Sequence, residues 1–169
     1  DTNIAYIVPD HNSVETLPVD LARSLRDLAA DKEPDGIILD LRIMQGSTFP
    51  VIQMLSLFAN GSTGTRYTRG AQQKTEVSGK QIGGSQDLPL VILIGDQTQG
   101  PAISFAAMLQ DLGRARLVGV KTSALVAEPT IVNLPNTSLQ LAIPSVEYRG
   151  VKGRALHRAG LIPDNDTQL

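Results

Sequence analysis

The chain contains no cysteine and no tryptophan among its 169 residues, and only 4% of it is aromatic. The missing cysteine removes disulfides, thiol catalysis and cysteine metal sites together. With so few aromatic rings, the core must be mostly aliphatic. An excess of one charge is also lacking: 15 basic residues against 17 acidic ones give a net charge of -2. Such a balance carries no electrostatic footprint for nucleic acid or an acidic membrane. The longest strongly apolar run, Leu90 to Ile94, is far too short to cross a bilayer. No signal peptide is visible, and the chain opens abruptly at Asp1 on strand-like residues, in the manner of a mature or truncated piece. What is present is ordinary globular composition, 41% hydrophobic and 19% charged, with a length suited to a single domain over residues 1–169.

The pattern alternates strands and helices. Ile4 to Ile7 reads as a strand ending at Pro9. Leu17, Leu21, Leu25 and Leu28 follow at helical spacing. Gly36-Ile37-Ile38-Leu39-Asp40-Leu41-Arg42 is a buried strand that turns polar at its end, so strand, helix and strand suggest a parallel crossover. A second helix carries Val51, Ile52, Leu55 and Phe58 on one face. Gly61-Ser62-Thr63-Gly64 lacks the lysine of a phosphate loop and reads as a turn. Gly64 to Arg69 is a plausible strand. Residues 70–87 are polar, hold four glycines and read as a long mobile loop or flap. Leu90 to Ile94 is a strand, Pro101 to Leu112 a helix stopped by Gly113, and Leu117 to Val120 another strand. Thr130 to Leu134 and Leu139 to Ile143 form a hairpin around Pro135-Asn136-Thr137. No internal repeat or linker interrupts the chain.

Few residues invite chemistry on their own. Asp40, at a strand end, reads as a structural acceptor. Asp111 sits late in a helix, where a carboxylate does not suit the dipole, which hints at a specific partner in Arg114 or Arg116, although a solvated pair is the favoured reading. The histidines are His11 and His157, with no nucleophile-elbow motif to join them in a triad. No His/Asp/Glu cluster has metal-ligand spacing, and no cofactor is expected.

Three stretches together carry a resemblance. Gly36 to Arg42 resembles the Gly-Leu-Ile-Leu-Asp-Leu-Arg strand of the tail-specific (C-terminal processing) serine peptidases. That family continues x-Asn-Pro-Gly-Gly, whereas Ile43-Met44-Gln45-Gly46-Ser47 keeps one glycine. Leu109-Gln110-Asp111-Leu112-Gly113-Arg114-Ala115-Arg116-Leu117-Val118-Gly119 resembles the family's Leu-Gln-Asp-x-Gly-Arg-Ala-x-Leu-Val-Gly. Ala159 to Asp164 is similar to its closing Gly-Ile-x-Pro-Asp. Order and spacing cover nearly the whole chain. The resemblance implies an α/β fold of the crotonase/Clp-protease type, a superhelix of strand-strand-helix units, without the PDZ domain of many members. It also suggests a periplasmic, secreted or otherwise extracytoplasmic setting.

The family's chemistry uses a serine nucleophile, a lysine base and a backbone oxyanion hole. Counting back from Gln110-Asp111 puts the serine position on Gly100, which has no side chain. Counting forward from Gly119 puts the lysine position on Leu125, which accepts no proton. The oxyanion donor after the serine falls on Pro101, which has no N–H; Gly46 retains the other. The resemblance therefore implies a homologue that has lost its dyad and binds a peptide, an unfolded segment or an apolar small ligand. A rearranged site pairing Ser104 or Thr98 with Lys121 is the alternative. Serine at position 100, lysine at 125 and an amide-bearing residue at 101 are expected to act only as a unit.

Overall fold

The computed structural model describes residues 2–10 and 14–167. Its elements run β1 (Ile4–Ile7), α1 (Leu17–Asp31), β2 (Gly36–Asp40), α2 (Val51–Phe58), β3 (Gly61–Thr68), β4 (Ala71–Val77), β5 (Leu90–Ile94), α3 (Pro101–Asp111), β6 (Ala115–Gly119), β7 (Glu128–Asn133), β8 (Gln140–Gly150) and β9 (Asn165–Asp166). No helix among the described residues is long and apolar enough to cross a membrane.

The strands form two sheets. A parallel sheet has the order β1-β2-β5-β6-β9, and an antiparallel sheet has the order β4-β3-β8-β7. In the parallel sheet Ile37 pairs with Leu90 and Leu90 with Ala115, so β2, β5 and β6 end side by side. Their β-branched and leucine runs suit strands covered on both faces. Helix α3 packs against both β6 and β8 and so joins the sheets. It is buried on nearly every side, Pro101 to Leu109 included, which is why its apolar pattern is not one-sided. The core is aliphatic apart from the three phenylalanines, which gather in one cluster: Phe105 stands 5.3 Å from Phe49 and 6.2 Å from Phe58, centroid to centroid.

Three expectations are corrected. Gly61 to Gly64 is not a turn but the start of β3, where Gly64 takes φ +148 and a Cβ would meet the Arg149 carbonyl of the paired strand. Residues 70–87 are not one flap. Ala71–Val77 is β4, paired antiparallel with β3 through Gly61↔Val77 and Thr68↔Ala71. The rest of the segment is tied down: Lys80 N donates to Ser56 O, Ser85 Oγ to Leu57 O, and Arg114 Nη2 to the carbonyls of Ser85 and Leu88. Finally, Asp111 pairs with neither Arg114 nor Arg116, and it is not solvated. It is buried and bonded to Arg154.

The hairpin turn at Leu134 to Leu139 is exposed and held by a few local hydrogen bonds. Limited digestion should cut there before it cuts between residues 70 and 87. Mass mapping of the first fragments checks this, and early cleavage inside 70–87 would contradict it.

Candidate functional site

The site is built where three parallel strands end. Each of β2, β5 and β6 runs directly into a loop, at residues 41–50, 95–100 and 120–127. Their ends are aligned by the sheet register, so the loops meet. Backbone and side-chain bonds then lace them together. Gln99 N donates to Met44 O at 2.9 Å, and Gly100 N donates to Leu125 O at 2.6 Å. Thr98 Oγ1 donates to Leu41 O and accepts from Gly95 N. Ser123 Oγ donates to Thr98 O.

Gly100 caps α3 with φ +68 and ψ -152, a region that essentially only glycine occupies. The reason is contact as well as strain. A Cβ at position 100 would stand 2.0 Å from Gly46 O. Pro101 follows at the first helical position, where its fixed φ suits the helix. Gly46 and Gly100 therefore touch, and they line one cavity of about 350 Å³. Its other walls are Leu125, Val126 and Ala127 from the loop after β6, and Pro129, Ala142 and Pro144 from the foot of the β7–β8 hairpin. Ser47, Gln99 and His157 complete the lining, which is otherwise apolar.

Each residue singled out from the sequence has a definite place. Gly46, Gly100 and Leu125 share the cavity. Leu125 is 65% exposed, and its carbonyl, not its side chain, reaches Gly100. Ser104 is fully buried in α3 and its Oγ has no hydrogen-bond partner. Thr98 is fully buried, with its hydroxyl spent on Leu41. Lys121 is exposed and lies against Gly160. None of Ser104, Thr98 and Lys121 lines the cavity. His11 lies outside the described residues. His157 stands on the rim, and so does Ser47, but no hydrogen bond joins them. Sequence reasoning missed both as cavity residues, along with Pro144 and Ala142. The hairpin motif around Pro135 was the one available signal for the latter pair.

A larger cavity, about 540 Å³, opens at the same C-terminal strand ends, between Tyr6, Asp40, Arg42 and Asp96. Its polar wall is a closed network. Arg42 Nη2 donates to Asp40 Oδ2 at 2.7 Å, Arg42 Nε to both carboxylate oxygens, and Tyr6 Oη to Oδ2 at 2.5 Å. Asp40 is thus the structural acceptor expected from its strand end. Burial alone would push the Asp40 carboxyl up, but the bonds from Arg42 and Tyr6 outweigh it and hold the group below the usual carboxylate range. A depressed carboxyl stabilises the fold above its ordinary pKa, and that contribution is lost as pH falls through the folded value. Asp40→Asn should therefore lower stability near neutrality by about 1–2 kcal/mol, with the two denaturation curves converging as pH falls below about 4. Urea titrations at several pH values measure this, and a gap that does not shrink in acid would contradict it.

The family model described as Peptidase family S41 matches residues 3–167. A carboxyl-terminal-processing protease of Synechocystis sp. is 30% identical over 149 residues, covering 86% of this chain and 34% of that protein. A protein of the same description from Picosynechococcus sp. is 28% identical, covering 77% and 31%. This chain thus spans about a third of the length of those relatives. Among solved structures, a lipoprotein from Streptococcus agalactiae superposes with a TM-score of 0.73 at 19% identity, over 99% of this chain and 63% of that one. A photosystem II D1 C-terminal processing protease gives 0.74 at 20%, over 96% and 40%. At these identities the superpositions speak to the fold, which is that of the α/β peptidases found by sequence.

Proposed function

This chain belongs to peptidase family S41, and on that premise we propose that it is a non-catalytic member which holds an apolar polypeptide segment in the cavity beside Gly46 and Gly100. The observation that carries this reading is the state of the α3 N-terminus. Gly100 offers no nucleophile, and Pro101 offers no N–H. The Gly100 amide is already spent on Leu125 O at 2.6 Å. A missing donor alone typically lowers the rate about 10²–10³-fold, and a missing nucleophile or base about 10⁴–10⁶-fold.

Binding is what the site retains. Its apolar walls favour aliphatic side chains, and an apolar small ligand would meet the same surface. An extracytoplasmic setting belongs to this reading through the family resemblance. The rearranged dyad finds no support in the geometry: Ser104 is buried away from the cavity, Thr98 is committed to Leu41, and Lys121 points elsewhere along Gly160.

A fluorophosphonate probe with intact-mass detection tests the proposal. The unmodified chain should gain no adduct under conditions that label an active serine peptidase to completion. An adduct mapped to Ser104, Ser47 or Thr98 would overturn it.

A further inference from the structure

The larger cavity, about 540 Å³, plays no part in the reading of the site beside Gly100. All five parallel strands deliver residues to it at their C-terminal ends: Tyr6 from β1, Arg42 after β2, Gly95 after β5, Gly119 from β6 and Thr167 after β9. In open α/β sheets that end of the strands is where small ligands are held. The volume also falls in the range of small-molecule sites.

The charged groups of this cavity are not all spent on one another. Asp40 is saturated: its oxygens accept from the Tyr6 hydroxyl, the Arg42 amide and the Arg42 guanidinium. Arg42 uses only Nε and Nη2 for this, and among the described residues its Nη1 meets no acceptor. Asp96 is exposed and, among the described residues, has neither a hydrogen bond nor an ion pair. The two residues are neighbours in the fold. A Cβ on Gly95 would stand 3.6 Å from Arg42 Cβ, and Asp96 is the next residue. Yet Arg42 forms its ion pair with Asp40 and not with Asp96. The cavity therefore offers one free guanidinium nitrogen and one free carboxylate on adjacent loops. Apolar surface completes the mouth, where Val8 is 50% and Ile43 52% exposed.

We propose that this cavity binds a small zwitterion, a free α-amino acid with an aliphatic side chain. Its carboxylate lies on Arg42 Nη1, its ammonium on Asp96, and its side chain covers Val8 and Ile43. Charge decides the class. An anion alone would be drawn to Arg42 but repelled by Asp96, and a cation alone would meet the reverse. An uncharged apolar ligand would strip water from both groups and replace none of it. A zwitterion satisfies both, and an α-amino acid carries its two charges on one carbon, close enough for two adjacent loops. The guanidinium is already oriented by Asp40 and Tyr6, so little ordering is left for the ligand to impose. The proposal is independent of the site beside Gly100, and either can fail without the other.

The test is a titration of the isotope-labelled, unmodified chain with leucine, followed by amide chemical shifts. Leucine should bind with a dissociation constant of about 1 mM or lower, and the amides of Gly95, Asp96 and Gly119 should shift first. Leucinamide lacks the carboxylate and N-acetyl-leucine lacks the ammonium, so each should bind about tenfold more weakly or worse. Asp96→Asn should weaken leucine and leucinamide by a similar factor and leave N-acetyl-leucine unchanged, a pattern that a general loss of structure would not give. Arg42 is left in place because it also holds Asp40. If Asp96→Asn fails to fold, the two analogues decide the matter on the unmodified chain. Equal binding of leucine and both analogues overturns the proposal, and so does leucine binding that Asp96→Asn leaves untouched. Shifts confined to residues 125–127 and 142–144 also overturn it, by placing leucine in the cavity beside Gly100. The absence of any shift up to about 20 mM leucine, far above the expected constant, overturns it as well.

Discussion

Replacing Gly100 by serine is expected to cost about 4 kcal/mol of stability and to produce no peptidase. Two penalties combine. The backbone at φ +68, ψ -152 lies where side chains are strained. The new Cβ would also meet Gly46 O at 2.0 Å, and that atom belongs to a backbone held by neighbouring loops rather than to the end of a flexible side chain. Either the loop at residues 41–50 moves or the Gly100–Leu125 hydrogen bond breaks. Serine at 100, lysine at 125 and an amide at 101, expected to act only as a unit, thus meet a further steric demand. The serine cannot be installed until the Gly46 loop is rebuilt. Urea denaturation of Gly100→Ser and Gly100→Ala should give similar losses, since both add the same Cβ. A serine variant as stable as the unmodified chain would show that the Gly46–Gly100 contact has been misjudged.

The second large effect is expected at Arg154. Asp111 is buried at the end of α3, with a side chain only 1% exposed. Arg154 Nη2 donates to its Oδ1 and to Gln110 Oε1, and Lys152 N reaches Oδ2 at 3.3 Å. Gly150 is glycine for the same reason, as a Cβ there would crowd the carboxylate. Arg154→Met strands a buried charge on one backbone amide and should cost about 3 kcal/mol. Removing both charges, with Asp111→Asn and Arg154→Met together, should recover a good part of that, because the penalty comes from the uncompensated carboxylate. Chemical denaturation of the two single variants and the double variant gives the coupling directly. Strictly additive losses would contradict the pairing.

What was legible in the sequence divides along physical lines. β2, β5 and β6 are short aliphatic runs, and their burial shows in composition alone. The stop at Gly113 is visible because a positive φ of +68 at a helix end calls for glycine. β4 was not visible. Ala71-Gln72-Gln73-Lys74-Thr75-Glu76-Val77 has the polarity of a loop, and only Thr75 and Val77 are buried. Its strand character comes from pairing with β3, a tertiary effect that overrides local preference. The partner of Asp111 was missed for a similar reason. Nearby arginines at positions 114 and 116 were the natural guess, yet the one that binds, Arg154, comes from the segment that follows β8. Arg114 instead spans the carbonyls of Phe58, Ser85 and Leu88.

At the site, the family-like motifs located Gly46, Gly100, Pro101 and Leu125 by counting. The motifs also put Gly46 and Gly100 on one pocket, but counting could not reveal that Leu125 contributes its carbonyl, nor that the Gly46 carbonyl leaves no room for a side chain at position 100. It also missed His157, Ser47 and the hairpin prolines, which reach the cavity only through long-range packing. The third motif turned out to be architectural: Asp164 Oδ2 accepts from Leu117 N at 2.8 Å and so fastens the tail to β6.

The central claim is that this S41 domain retains a binding site and lacks the chemistry. The most direct measurement is incubation of the unmodified chain with an unstructured protein ending in an apolar segment, with the products followed by mass spectrometry. The expected result is a substrate that stays intact at every pH tested. Turnover that disappears in Ser104→Ala or Lys121→Ala would contradict the claim and establish a working site in its place.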